Sequence, residues 1–454
     1  MVRRRFRRCG AALAGLVLLA VTGCGGGSSD PAPTAPVPGS AGLAAVPLAV
    51  PDGLDASPLD EERQVQAPPG WSVRVWTRIE GARLMAWAPD GRLLVSRPKA
   101  GEVVAVVPAG DGSGNPRQET LLRGLDQPHG LAFAGSTLYV AQSDRVDAYP
   151  YADGRVGSPR PVAEGLPDAK SPDLRGAYAH ALKSVAVGRD GSVYVSVGST
   201  GNVSVEDRSA DPERATVLRV PPGGGAPTVF ARGVRNGTGL AVAPDGAVWS
   251  AVNNRDNIEY PYERDFDGDG RSDLGDVLPG YVADHPLEPL ARLTRGRDLG
   301  WPYCNPDPDA DPGAAGTPLV YADRPFVRDV QTNADGSKLD CAALAPVEQG
   351  MGAHSAPLGL SFAADPGLPA PYGRGALVGI HGSWNRTPPR APEVSFFALR
   401  GDGGLGGQQT LLTGFQDAGG DRWGRPVMAV QGPDGAVYVS DDDAGAVYRM
   451  TPPS

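Results

Sequence analysis

Cysteine is scarce in this sequence: there are four in 454 residues, with five histidines and aromatic side chains at only 6%. No Cys-x-x-Cys-His occurs, which excludes a covalently attached c-type haem, and neither the cysteine spacing nor the nearby histidines form a zinc signature. Long apolar runs are missing as well. The run from Ala11 to Val21 is too short for a membrane span, and the rest of the chain has no helical pattern longer than a few turns. Basic charge is in deficit. Setting aside the five arginines of residues 1–23 leaves 37 basic against 52 acidic residues, a balance that argues against nucleic-acid binding and fits a soluble acidic exterior.

What the chain does have is turn material. Its 63 Gly and 46 Pro lack the period of collagen and make a mostly helical protein improbable, while 41% hydrophobic and 21% charged residues exclude disorder throughout. The leader carries Arg3, Arg4, Arg5, Arg7 and Arg8 before its apolar run and ends Val21-Thr22-Gly23-Cys24, the pattern of a bacterial lipoprotein signal over residues 1–23. Cleavage there would leave Cys24 to carry the lipid, anchoring an extracytoplasmic protein to the cell membrane. Residues 25–40, GGGSSDPAPTAPVPGS, cannot form a core, so residues 24–66 are expected to be a tether and N-terminal extension. Cys9 lies in the leader. That leaves Cys304 and Cys341, expected as a disulfide outside the cytoplasm, with two buried thiols as the other reading.

Six segments repeat one phrase, an alternating apolar run, a break and a second β-rich run, at 83–96, 129–142, 182–198, 238–252, 358–380 and 426–440. Period-two alternation around Asp-Gly marks hairpins that cannot bury both faces alone. Turn glycines at Gly91, Gly135, Gly191, Gly246 and Gly435, with Gly367 in a looser Asp-Pro-Gly break, point to radially stacked sheets. The expected fold is all-β, a six-bladed β-propeller over 67–454 with a long insertion at about 255–350; a pair of β-sandwiches fits the repeat less well.

Inside the insertion, residues 265–276 place Asp265, Asp267, Asp269, Asp273 and Asp276 at positions 1, 3, 5, 9 and 12 of a twelve-residue loop, with Gly270 at 6 and Arg271 at 7. Ca²⁺ takes several oxygen ligands, and Gly at position 6 allows the sharp turn, so the spacing resembles an EF-hand calcium loop without evident flanking helices. An exposed acidic turn without an ion is the alternative. Gly300-Trp301-Pro302-Tyr303 reads as packing for the insertion or as part of a sugar-binding rim.

Polar phrases flank the repeats: GAYAH ending at His180, GVRNGTG containing Arg235 and Asn236, and HGSWNR from His381 to Arg386. Together with PPGWSVRVWTRIEGARLMAWAPDG, DLGWPY, HSAPLGLSF and GRPVMAVQGPDGAVYVSDD, they resemble the pyrroloquinoline-quinone (PQQ)-dependent sugar dehydrogenases that include soluble glucose dehydrogenase, especially the L-sorbosone dehydrogenase-like branch. The resemblance spans Ala67 to Met450. It implies a propeller holding PQQ with Ca²⁺, a sugar or sugar-aldehyde substrate and an external quinone or cytochrome acceptor. His180 resembles the catalytic base, Arg235 the group that polarises the quinone carbonyl and Asn236 its neighbouring contact, while Arg386 and Arg425 suit the cofactor carboxylates. Each also has a plainer reading, as a packing histidine, strand-end cap or surface ion pair. Tyr178, Lys183, His129 and His354 are further pocket candidates, and Trp384 is expected to pack its own loop. Ala181-Leu182-Lys183 departs from the aromatic and arginine-bearing continuation of many relatives, which leaves the substrate open. The rival functions are a carbohydrate-binding propeller without redox activity and a calcium-dependent lactonase or hydrolase.

Overall fold

The computed structural model describes residues 42–110 and 114–453; the arginine-rich leader, Cys24 and the Pro-rich segment up to residue 40 lie outside the described residues. The Asp-Gly phrase folds into one and the same turn in four places. Gly91, Gly191, Gly246 and Gly435 take φ of +80°, +82°, +92° and +78°, and each donates its N–H to the carbonyl three residues back. The preceding Asp90, Asp190, Asp245 or Asp434 accepts from the backbone N–H two residues on. Glycine relieves the left-handed backbone and the aspartate closes the loop, so each phrase fixes the register of its hairpin. Gly367 behaves differently. It lies within the strand Pro357–Leu368, at a register shift, and the turn follows at 369–372.

Six sheets result, antiparallel apart from two short parallel pairings, Leu48 and Ala49 with Val73 and Arg74, and Ala231 and Arg232 with Arg297 and Asp298. The first comprises Met85–Trp87, Leu93–Arg97, Glu102–Val107 and Arg117–Leu122; the second begins at Leu131–Ala134, the third at Val185–Val187, the fourth at Gly239–Val242, the fifth at Pro357–Leu368 and the sixth at Pro426–Gln431. The first strands of successive sheets touch in a closed ring, which makes the protein a six-bladed β-propeller. Closure comes from sequence ends meeting. Ser72–Arg78 pairs antiparallel with Ala446–Thr451 and completes the sixth blade. Beyond it, Ala44–Ala49 and Gln64–Ala67 add two strands within the region expected as an extension, because Val65 and Ala67 alternate into the core.

Hydrophobic clusters lie between neighbouring blades, as when Met85, Leu93 and Val95 meet Val427 and Tyr438. Each blade thus buries both faces. The insertion is two excursions within the fourth blade. Residues 252–287 leave after its second strand, Glu288–Leu293 returns as the third, and residues 294–346 leave again before Val347–Met351. These excursions hold only short elements, among them a two-stranded sheet of Cys304–Pro306 with Phe326–Arg328 and a Cys304–Cys341 disulfide. Among the described residues no helix is long and apolar enough to cross a membrane.

Candidate active site

Loops that start the inner strands of blades three to six meet at a cavity of about 240 Å³. His180 arrives before Val185–Val187, Arg235 before Gly239–Val242, His354 before Pro357–Leu368 and Arg425 before Pro426–Gln431; Asn253 and Asp256 follow Val248–Ala251, and His381 to Trp384 follow Gly373–Ile380. Residues 245 apart in sequence become neighbours through the ring closure.

His180 is held by Ser199. The Ser199 hydroxyl donates to the Gly201 carbonyl at 2.8 Å, so it accepts from His180 Nδ1–H at 2.8 Å, with the Ser199 carbonyl at 3.1 Å. That network puts the proton on Nδ1 and leaves the Nε2 lone pair available. Burial, then the Arg235 charge, pushes the imidazole down to about 3, so it stays neutral over the physiological range. Gly198 makes this position possible, since a Cβ there would lie 2.6 Å from both the Cβ and the carbonyl oxygen of His180.

Arg235 is locked by backbone. Its Nε and Nη1 donate to the carbonyls of Asn202 and Asn253 at 3.2 Å, and Nη2 donates to Asn202 Oδ1 at 3.0 Å. Asp256 lies 3.8 Å away. Desolvation lowers the guanidinium to about 10, still a cation at neutral pH. Trp301 Nε1 donates to the same Asn202 carbonyl, so Gly300-Trp301-Pro302-Tyr303 packs inward and steadies Arg235. Asn236 is 8% exposed and its Oδ1 is buried without a partner. Arg425 donates through Nε to the His381 carbonyl at 2.9 Å, and among the described residues no carboxylate lies within ion-pair distance of it.

The structure adds groups that sequence reasoning missed. Asp256 stands between Arg235 and His354, whose Nδ1 is 3.4 Å away. Glu288 accepts from Ala356 N at 2.8 Å, and burial raises its carboxyl to about 8, making it a neutral acid at pH 7. His381 Nε2 meets Asp442 at 2.7 Å, which also pairs with Arg83 at 2.7 Å. His354 and Ala356 hold φ of +57° and +51° without being glycine, local strain of the kind that gathers at functional sites. Asn253 and Asp256 belong to an NNRD phrase at a strand end, the available signal; Glu288 gave none.

Other expectations resolve differently. Arg386 donates to the Ala283 carbonyl at 2.9 Å and pairs with Asp284 at 3.2 Å, which pins it beside a separate 410 Å³ cavity and away from His180. Lys183 Nζ is spent on the carbonyls of Pro167 and Ala181, Tyr178 donates to Gly198 O, and His129 sits on Lys183 O; none lines the cavity. His354 does. Trp384, expected to pack, is 75% exposed at the rim. In the acidic loop, carboxylates of Asp265, Asp267 and Asp269 come within 4.8 Å of one another. Asp273 and Asp276 stay out of that group. The Asp273 carboxylate accepts from Phe266 N and Asp267 N, and the Asp276 carbonyl accepts from Tyr260 N. The Arg271 side chain points to solvent, 84% exposed, beside Asp269.

Arg235 and Arg425 bring two guanidinium groups to the cavity, which Asp256 and Glu288 also line. The sequence model of the family described as TrAA12-like matches residues 65–452. Among solved structures, the holo PQQ domain of pyranose dehydrogenase from Coprinopsis cinerea superposes with a TM-score of 0.67 at 21% identity, covering 86% of this chain and 97% of that one. A calcium structure of the family AA12 carbohydrate-active enzyme of Trichoderma reesei gives 0.65 at 20% identity, over 86% and 96%. At these identities the likeness is one of fold. An uncharacterized protein of Borreliella burgdorferi is 30% identical over 99 residues, so the match spans 22% of this chain and 26% of that relative.

Proposed function

The chain belongs to the TrAA12-like family, and from that premise we propose that it is a PQQ-dependent oxidoreductase of a sugar or sugar aldehyde, sorbosone-like, yielding a lactone or acid. The observation that carries this reading is the meeting of a neutral histidine with an open Nε2 and two guanidinium groups in one cavity. The PQQ domain of pyranose dehydrogenase, a neighbour in fold, supports it.

PQQ, when bound, supplies the two-electron acceptor. Arg235 and Arg425 would hold its carbonyl and carboxylate oxygens, and Asn236 supplies the adjoining polar contact; Arg386 has no part in this cavity. His180 takes the hydroxyl proton of the sugar at Nε2 as the hydride equivalent leaves carbon, and its Nδ1–H bond to Ser199 keeps the ring oriented as it charges. The Arg235 cation stabilises the negative charge that develops opposite the base. Ca²⁺ would be held by the converging carboxylates of Asp265, Asp267 and Asp269, while Asp273, whose carboxylate caps backbone N–H groups, and Asp276 stay outside that cluster. Electrons leave to an external quinone or cytochrome. The Cys304–Cys341 disulfide supports an extracytoplasmic setting, with Cys24 as the lipid anchor.

Apo protein supplied with PQQ and Ca²⁺ is to be assayed for reduction of an artificial acceptor across a panel of sugars and sugar aldehydes. The reading expects PQQ-dependent turnover that His180→Ala abolishes. Ester or lactone cleavage with calcium alone, without PQQ binding, would replace it with a hydrolase.

A further inference from the structure

Within the insertion, away from the His180 cavity, His285, Asp307 and Asp309 come together with exposures of 4%, 3% and 1%. We propose that they form a structural zinc site joining the two excursions of the fourth blade.

His285 comes from the first excursion, just after the short helix Pro279–Val282, and the two aspartates from the second, after Cys304–Pro306. Nδ1–H of His285 donates to the Tyr281 carbonyl at 2.8 Å, the backbone bond that commonly orients a ligating imidazole and leaves Nε2 for the metal. Asp309 Oδ1 is 2.9 Å and Asp307 Oδ1 3.6 Å from Nε2. Tetrahedral ligands about 2.1 Å from zinc stand about 3.4 Å apart, a spacing that these two distances bracket. Gly313 N donates to Asp309 Oδ2 at 2.9 Å and the Tyr262 hydroxyl to Asp307 Oδ2, while Asp309 N donates to Asp307 Oδ1 at 3.0 Å and leaves that oxygen its second lone pair for a metal. Arg324 takes the backbone carbonyls of Asp307 and Asp309 and leaves their carboxylates alone.

The Tyr281 ring stacks on His285 with centroids 3.8 Å apart. Its hydroxyl is buried without a partner in the field of both carboxylates. Three protein ligands leave a fourth position for water. The nitrogen and the small ligand number favour zinc over the hard, oxygen-seeking Ca²⁺. The insertion has only a small apolar cluster of its own, Ile258, Tyr260, Tyr281 and Val282, and such a staple adds to it as the disulfide does.

The test uses the untagged mature chain. Elemental analysis is expected to find one zinc per chain. After stripping with a chelator the melting temperature is expected to fall and to recover on adding zinc alone but not calcium alone, and Co²⁺ is expected to give the visible absorption of a four-coordinate site. His285→Gln and Asp309→Asn, checked for folding by circular dichroism, are expected to lose the metal and the cobalt band. Wild-type protein that holds no zinc, and that when stripped shows neither a melting shift with zinc nor a cobalt band, would overturn the proposal and leave a proton bridging the imidazole and the carboxylates.

Discussion

His180 is kept neutral by two effects of the same sign, burial and the Arg235 charge, so its readiness to accept a proton does not depend on working pH. Its replacement by Ala is expected to lower turnover about 10²–10⁴-fold while PQQ absorbance on the protein is retained; steady-state kinetics with an artificial acceptor measures this, and an unchanged turnover would remove His180 from the chemistry. His129 follows the same physics without the function. Burial, helped by Arg83, holds it at about 3 against an ordinary 6.5. Below pH 6.5 the unfolded chain binds a proton that the folded chain refuses, so stability falls as pH drops toward 3. Urea midpoints of His129→Gln between pH 7 and pH 4 are therefore expected to fall less steeply than those of wild type. Parallel slopes would contradict the assigned burial. Glu288, raised to about 8, has the opposite sign, its contribution being present below 4.5 and lost as pH rises through 8.

At the scale of elements, the hairpins were readable because their turn chemistry is local: an aspartate and a left-handed glycine decide the same geometry wherever they occur. The third strand of blade four, Glu288–Leu293, was not readable. It stands alone between two coil excursions, and its pairing to Val248–Ala251 and Val347–Met351 is long-range. The insertion combines a small apolar cluster with a disulfide and polar contacts, where the propeller depends on inter-blade packing. Cys304→Ser with Cys341→Ser, which opens a loop of 37 residues, is expected to cost about 2–4 kcal/mol and to expose 294–346 to limited proteolysis while the blades stay protected; cleavage appearing first within the blades would contradict this division. Gly198 couples strand to site. Gly198→Ala is expected to displace His180 and to reduce turnover more than it reduces PQQ binding, measured by kinetics alongside cofactor titration.

For the whole molecule, ring closure explains which site residues were legible. His180, Arg235 and Arg425 each precede a repeated first strand, and the ring brings these three strand starts to one cavity. Arg386 follows a second strand on a loop that bends outward to Ala283 and Asp284, and nothing in its own phrase gives that direction. Asp273 shows the limit of spacing arguments: it holds its loop position, but its carboxylate satisfies backbone N–H groups. His285, Asp307 and Asp309 were invisible for a different reason, since only the meeting of two coil excursions brings them together.

On the proposed function, Arg235 and Arg425 make this cavity a PQQ site. Calorimetric titration of PQQ, with Ca²⁺ present, into the untagged chain and its variants tests it most directly. One PQQ per wild-type chain is expected, with binding weakened about 10–100-fold by Arg425→Ala, as suits the loss of charged hydrogen bonds, and little changed by His180→Ala. Absence of PQQ binding by wild type, or equal affinity in Arg425→Ala, would contradict the account.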